Sequence, residues 1–179
     1  MFVPVLNISG YNANSREEHG IDPNRQYPGP CVPNNTTSLK SIQLVQALAG
    51  ARNYAASLTV HGYAAALTYP WGVDSSNTHT LDDNAFERAT AKAASLNGYQ
   101  HGTSTDIVYP CDGAFEDYVY WKHGIWSLLL ELKDGTPDDI KATEQAVYSW
   151  FSEVDSSPSV KNQMTGKCSG RLSMDLRVE

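Results

Sequence analysis

"GIWSLLLEL" (residues 124–132) is too short to cross a membrane and too apolar to lie on a surface. A near-continuous apolar run of this length reads as a strand over residues 125–132, buried on both faces, as in the sheet of an α/β domain. The flanks agree. "FEDYVYWKHG" (residues 115–124) reads as a short helix ending at Gly124. Residues 137–154 form a longer helix with Pro137 in its first turn and Ala142, Val147, Trp150 and Phe151 inward. Further out, Ser38 is an N-cap for a helix to Ala51 with Ile42, Val45, Leu48 and Ala49 on one stripe. "SLTV" (residues 57–60) is β-rich, a second short strand ends at Pro70-Trp71-Gly72, and Asp82 or Asp83 opens a helix to about Leu96. "TDIVYP" (residues 105–110) is a short strand or turn, and residues 2–6 read as a further buried strand. Strands alternating with amphipathic helices predict an α/β fold: three layers, α/β/α, around a mixed, mainly parallel sheet.

The 179 residues, 41% hydrophobic and 18% charged with a net charge of -7, suit one globular domain. No basic run would recruit nucleic acid, and no apolar run is long enough to span a membrane. The start, "MFVPVLNISG", lacks the basic and long apolar regions of a signal peptide, so the chain reads as beginning inside a domain. Residues 1–154 form that domain portion, and the Ser- and Lys-rich residues 155–179 read as a tail or linker. Cys31, Cys111 and Cys168 allow one disulfide and one spare thiol. The sequons at Asn7, Asn34 and Asn35 would permit N-glycosylation, which weakly favours a secretory setting.

Strand ends collect functional groups in such sheets. His61 directly follows "SLTV", and Glu131 sits near the end of "WSLLLEL". A carboxylate in an apolar strand is either partnered internally or opens onto a cleft, and burial raises its pKa towards general-base range. In the loop "HGIDPNRQYPGP" (residues 19–30), prolines stiffen both sides of Asn24-Arg25, a good mount for a guanidinium that must grip a carboxylate or phosphate. Tyr109 lies on a turn before Pro110. Each group taken singly has a structural alternative: a solvated arginine, a satisfied strand-end histidine, a packing tyrosine.

Their order, and the surrounding "GIDPNRQYP", "LTVHGYAAALTYPWG", "DIVYPCDGAFEDYVY" and "SLLLELKD", resemble the zinc carboxypeptidases of the carboxypeptidase A type. The resemblance runs from the start of the chain to about residue 154. It implies that His61 is a zinc ligand, that Asn24 and Arg25 hold the free carboxylate of a peptide or protein C-terminus, and that Arg16 stabilises the oxyanion. It further implies that Tyr109 closes over the terminal residue and that Glu131 is the general base acting on zinc-bound water. Glu116 stands where the pocket for the last side chain is lined, which implies a basic preference. Pro23 and Ser9-Gly10 depart from the family pattern without removing a functional group.

One absence matters more. The family draws two zinc ligands from an H-x-x-E word, yet none of His19, His61, His79, His101 and His123 is followed three residues later by Glu. "HTLD" (residues 79–82) is the nearest mimic and falls after His61. The expectation is a C-terminal part of a catalytic domain, inactive alone, with the remaining Zn2+ ligands upstream and one sheet edge unprotected. Two other readings stay open: a non-catalytic relative that binds peptide C-termini, and a zinc deacylase of the same fold.

Overall fold

A computed structural model describes residues 1–73 and 75–169. The decisive apolar run is the second strand of a four-stranded mixed sheet. Its strands are β1 (Ala56–Gly62), β2 (Ala66–Tyr69), β4 (Gln100–Thr103) and β5 (Trp126–Leu132), in the order β1-β5-β2-β4. β1 runs parallel to β5 and β2 parallel to β4, while β5 and β2 are antiparallel.

Strand alternation sorts β5 into two faces. Trp126, Leu128 and Leu130 face α3 (Asp83–Asn97) and α6 (Pro137–Glu153), packing with Phe86, Ala93, Ala146 and Trp150. On the other face α5 (Phe115–His123), which follows the one-turn helix α4 (Ser104–Ile107) in the chain, covers β5 and β1, and α2 (Lys40–Ala51) packs on α5 through Ile42, Ala49, Tyr118 and Val119. The expected three layers are present. Gly98 and Gly124 end α3 and α5 in the left-handed region, where a side chain would be strained.

Several local expectations fail for identifiable reasons. Residues 2–6 form no strand: Phe2 is 86% exposed, and the chain instead enters a short helix, α1 (Ile8–Ala13), capped by the Asn7 side chain. Pro4 removes a ladder donor from that apolar run. On α6 Trp150 is buried and Val147 packs on the core as expected, but Thr143 and Ala146 take the inward places expected of Ala142 and Phe151, which are exposed. Phe151, 42% exposed, lies at the edge of the stripe that Thr143, Ala146, Val147 and Trp150 make. α2 begins two residues after Ser38, with Leu39 at the cap position.

Three short polar strands escape a hydrophobic pattern altogether: β4, β3 (Ser75–His79) and β6 (Thr165–Cys168). β3 and β6 pair antiparallel, and Cys168 is disulfide-bonded to Cys31, leaving Cys111 as a free thiol. Residues 155–169 therefore lie against the body. The Trp126 indole donates to Ser157 O at 3.1 Å, Ser159 N donates to Gly124 O at 2.7 Å, and Asn162 Nδ2 donates to the carbonyls of Tyr120 and Trp121 at 2.9 Å. The remainder of the expected tail, residues 170–179, lies outside the described residues.

Candidate functional site

Register brings the two strand-end groups together. His61 of β1 is the direct neighbour of Glu131 of β5, so both side chains leave the same face of the sheet at its carboxyl edge. They line one cleft of about 240 Å3 together with Arg16, Asn24, Arg25 and Tyr109. Six of the seven expected residues thus share one space. Burial pushes the Glu131 pKa above the ordinary carboxylate value, against the opposing fields of His61 and Arg16.

Glu116 is the seventh and does not line the cleft wall. It is 2% exposed on α5, its carboxylate accepts a hydrogen bond from the Thr59 hydroxyl, and Oε1 lies 4.0 Å from His61 Nε2. The packed side of α5 therefore carries this acid, against Thr59 and His61, which stand two residues apart on the same face of β1.

The Asn24-Arg25 loop is held from three sides. Asn24 sits in a single 3-10 turn (Pro23–Arg25) capped by Asp22, whose Oδ1 accepts from Asn24 N at 3.0 Å. Its own Oδ1 accepts from Phe115 N, 2.9 Å away at the start of α5, which fixes the amide so that Nδ2 is the end left for a ligand. Asn35 Nδ2 donates to Arg25 O and Tyr27 O, both at 3.0 Å. Gly113 completes the support: a Cβ there would meet Arg25 O at 2.5 Å. Gly113 carries no chemistry that a residue-by-residue reading would flag, and Asn35 is visible in the sequence only as a sequon, because each acts here by supporting backbone.

The guanidinium of Arg25 faces Tyr109. Nη1 donates to Asn24 O at 2.7 Å, Nη2 donates to the Tyr109 hydroxyl at 3.1 Å, and the cation lies 5.7 Å from the ring centroid. Tyr109 is 52% exposed, so it can leave this contact without opening the core. Arg16 is steered by Asp22, with Nε donating to Oδ2 at 2.8 Å. The same aspartate thus serves both arginine-bearing segments. Cys111 also lines the cleft, and burial pushes its thiol up to about 12, which keeps it protonated and unreactive at neutral pH.

The zinc carboxypeptidase family profile matches residues 1–146. Mouse (Mus musculus) carboxypeptidase A1 is 31% identical over 137 residues, covering 64% of this chain and 32% of that protein. Dog (Canis lupus familiaris) carboxypeptidase B is 34% identical over 83 residues, 44% of this chain and 20% of the relative. Among solved structures, carboxypeptidase A from Helicoverpa armigera superposes with a TM-score of 0.71 at 13% identity, covering 84% of this chain and 50% of that one. Bovine thrombin-activatable fibrinolysis inhibitor, in complex with tick carboxypeptidase inhibitor, gives a TM-score of 0.67 at 17% identity, over 84% and 66% of the two chains. The chain belongs to the zinc carboxypeptidase family. It spans about a third of the length of the curated A1 relatives.

Zinc in such enzymes takes three protein ligands and keeps one position open. Among the described residues, no group of three or more His, Cys, Asp or Glu side chains is arranged to hold a metal ion. His61 is the imidazole in the cleft, and its nearest carboxylate, Glu116, is already committed to Thr59. The donor set in these residues does not fit a zinc ion by itself.

Proposed function

We propose that this chain builds the substrate-carboxylate and general-base side of a metallocarboxypeptidase site, which releases the last residue of peptides or proteins. The observation carrying the reading is the cleft that gathers Arg16, Asn24, Arg25, Tyr109, His61 and Glu131. In this reading a free C-terminal carboxylate takes the fork of Arg25 and the Nδ2 donor of Asn24, displacing the Tyr109 hydroxyl. Tyr109 then folds over the terminal residue. Arg16 faces the carbonyl of the bond to be cleaved. Glu131 takes a proton from the attacking water and returns it to the departing amine as the C–N bond breaks.

A preference for a basic last side chain would rest on Glu116, which lies behind the cleft wall, so an entering cation would have to displace the Thr59 hydroxyl to reach it. A second reading, binding of peptide C-termini without hydrolysis, draws on the incomplete metal donor set.

This chain alone is expected to bind peptide C-termini without cleaving them, because its metal donor set is incomplete. Incubating it joined to a segment that supplies an H-x-x-E pair, loaded with Zn2+, with N-blocked peptides ending in Lys or Phe separates these readings. The proposal expects release of the terminal residue, faster for Lys, and a fall of roughly 10²- to 10⁴-fold with Glu131→Gln. Equal rates for the Gln variant would remove Glu131 as the base. Tight binding with no release would favour the non-catalytic reading. Indifference to Glu116→Gln would end the basic preference.

A further inference from the structure

Three sequons compete for one modification, and their side chains stand in different positions. Asn7 caps α1 with Oδ1, which accepts from Gly10 N at 2.8 Å, and its Nδ2 donates to Arg16 O at 3.1 Å. That nitrogen is also pressed on Gly10, where a Cβ would meet it at 2.2 Å. Asn35 spends both N–H donors of Nδ2 on Arg25 O and Tyr27 O. A glycosylated asparagine retains one N–H, so a glycan on Asn35 breaks the clamp that holds the Asn24-Arg25 loop.

Asn34 differs. It sits at the tip of a turn closed by Asn35 N donating to Val32 O at 3.0 Å, with Pro33 ahead of it, and both Asn34 and Thr36 are exposed. Asn34 lies three residues after Cys31, whose bond to Cys168 belongs to an oxidising compartment. That is the compartment in which N-glycans are added.

We infer that Asn34 is an N-glycosylation site and that the adjacent Asn35 is not. In the transfer, Asn34 Nδ2 bonds to the anomeric carbon of a lipid-linked pyrophosphate oligosaccharide. The sugar–phosphate bond breaks, lipid pyrophosphate departs, and one Nδ2 proton is lost to the transferase. The sequons Asn34-Asn35-Thr36 and Asn35-Thr36-Thr37 overlap, which permits a clean separation. Thr36→Ala removes the first and preserves the second; Thr37→Ala does the reverse.

The test directs the full chain into the secretory pathway of a eukaryotic host. Secreted and cell-associated protein are both treated with an amide-cleaving glycosidase in heavy-oxygen water, followed by peptide mapping. The expected result is one glycan step on a gel and a heavy-oxygen-labelled aspartate at position 34. Thr36→Ala and Asn34→Gln lose that step, and Thr37→Ala keeps it. A label at position 7 or 35, loss of the step with Thr37→Ala, or an unglycosylated wild type in both fractions overturns the inference.

Discussion

Replacing Asn35 probes how the loop that carries Asn24 and Arg25 is held. Asn35 Nδ2 donates two hydrogen bonds of 3.0 Å, to the carbonyls of Arg25 and Tyr27. Each partly buried bond contributes about 0.5–1.5 kcal/mol net, so Asn35→Ala should destabilise the fold by about 1–3 kcal/mol. For a domain of this size that is a fall in Tm of roughly 2–12 °C. Asn35→Asp is the sharper variant, because it keeps the shape but sets a carboxylate against two carbonyl oxygens. It should cost more than alanine at neutral pH. Its folded-state pKa is then raised above the unfolded value, so the extra penalty is present at high pH and shrinks as pH falls and the carboxyl gains a proton to donate. Urea unfolding at several pH values, read with peptide binding, follows both effects. Asn35→Asp matching the wild type, or exceeding Asn35→Ala in stability at neutral pH, would refute the clamp.

Three further outcomes follow from other contacts. Gly113 has φ +84 and lies against the Arg25 carbonyl, so Gly113→Ala should cost at least about 2 kcal/mol from backbone strain and collision, and weaken peptide binding in step; unchanged thermal unfolding would contradict it. Asp117 is fully buried with both carboxylate oxygens 3.0 Å from Gly72 N, and burial pushes its pKa up to about 8. The unfolded chain releases that proton earlier, so stability should fall between about pH 4 and 8 by up to about 1.4 kcal/mol per pH unit, and Asp117→Asn should flatten the slope measured by denaturant titration. The Cys31–Cys168 bond joins residues 137 apart, and its reduction should lower unfolding free energy by about 2–5 kcal/mol, seen as a lower Tm in reductant; an unchanged Tm would show that β6 is held without it.

The sequence discloses chemistry better than support. Arg16, Asn24, Arg25, His61, Tyr109 and Glu131 are singled out by residue type and by the order of their neighbouring words; register sets His61 beside Glu131, and all six line one cleft. The core strands and helices are legible because β5 is apolar throughout and α3 carries a helical stripe. The polar strands β3, β4 and β6 are not, since non-local pairing and a disulfide hold them rather than any apolar period. The supporting roles of Asn35 and Gly113 are silent for a related reason: their partners are main-chain atoms of residues distant in sequence. Glu116 is expected from its place in the sequence to line the pocket, whereas its burial under Thr59, off the cleft wall, emerges only when α5 is set on the sheet.

The most direct measurement compares one fluorescent peptide as its free C-terminal acid and as its amide, bound by the wild-type chain and by Arg25→Ala. Recognition through Arg25 predicts that the acid binds more tightly than the amide. It also predicts that the variant loses about 1.5–3 kcal/mol, roughly 10- to 150-fold, for the acid alone. Equal affinity for acid and amide, or an equal loss for both peptides in the variant, would contradict the assignment of this cleft to a peptide's C-terminus.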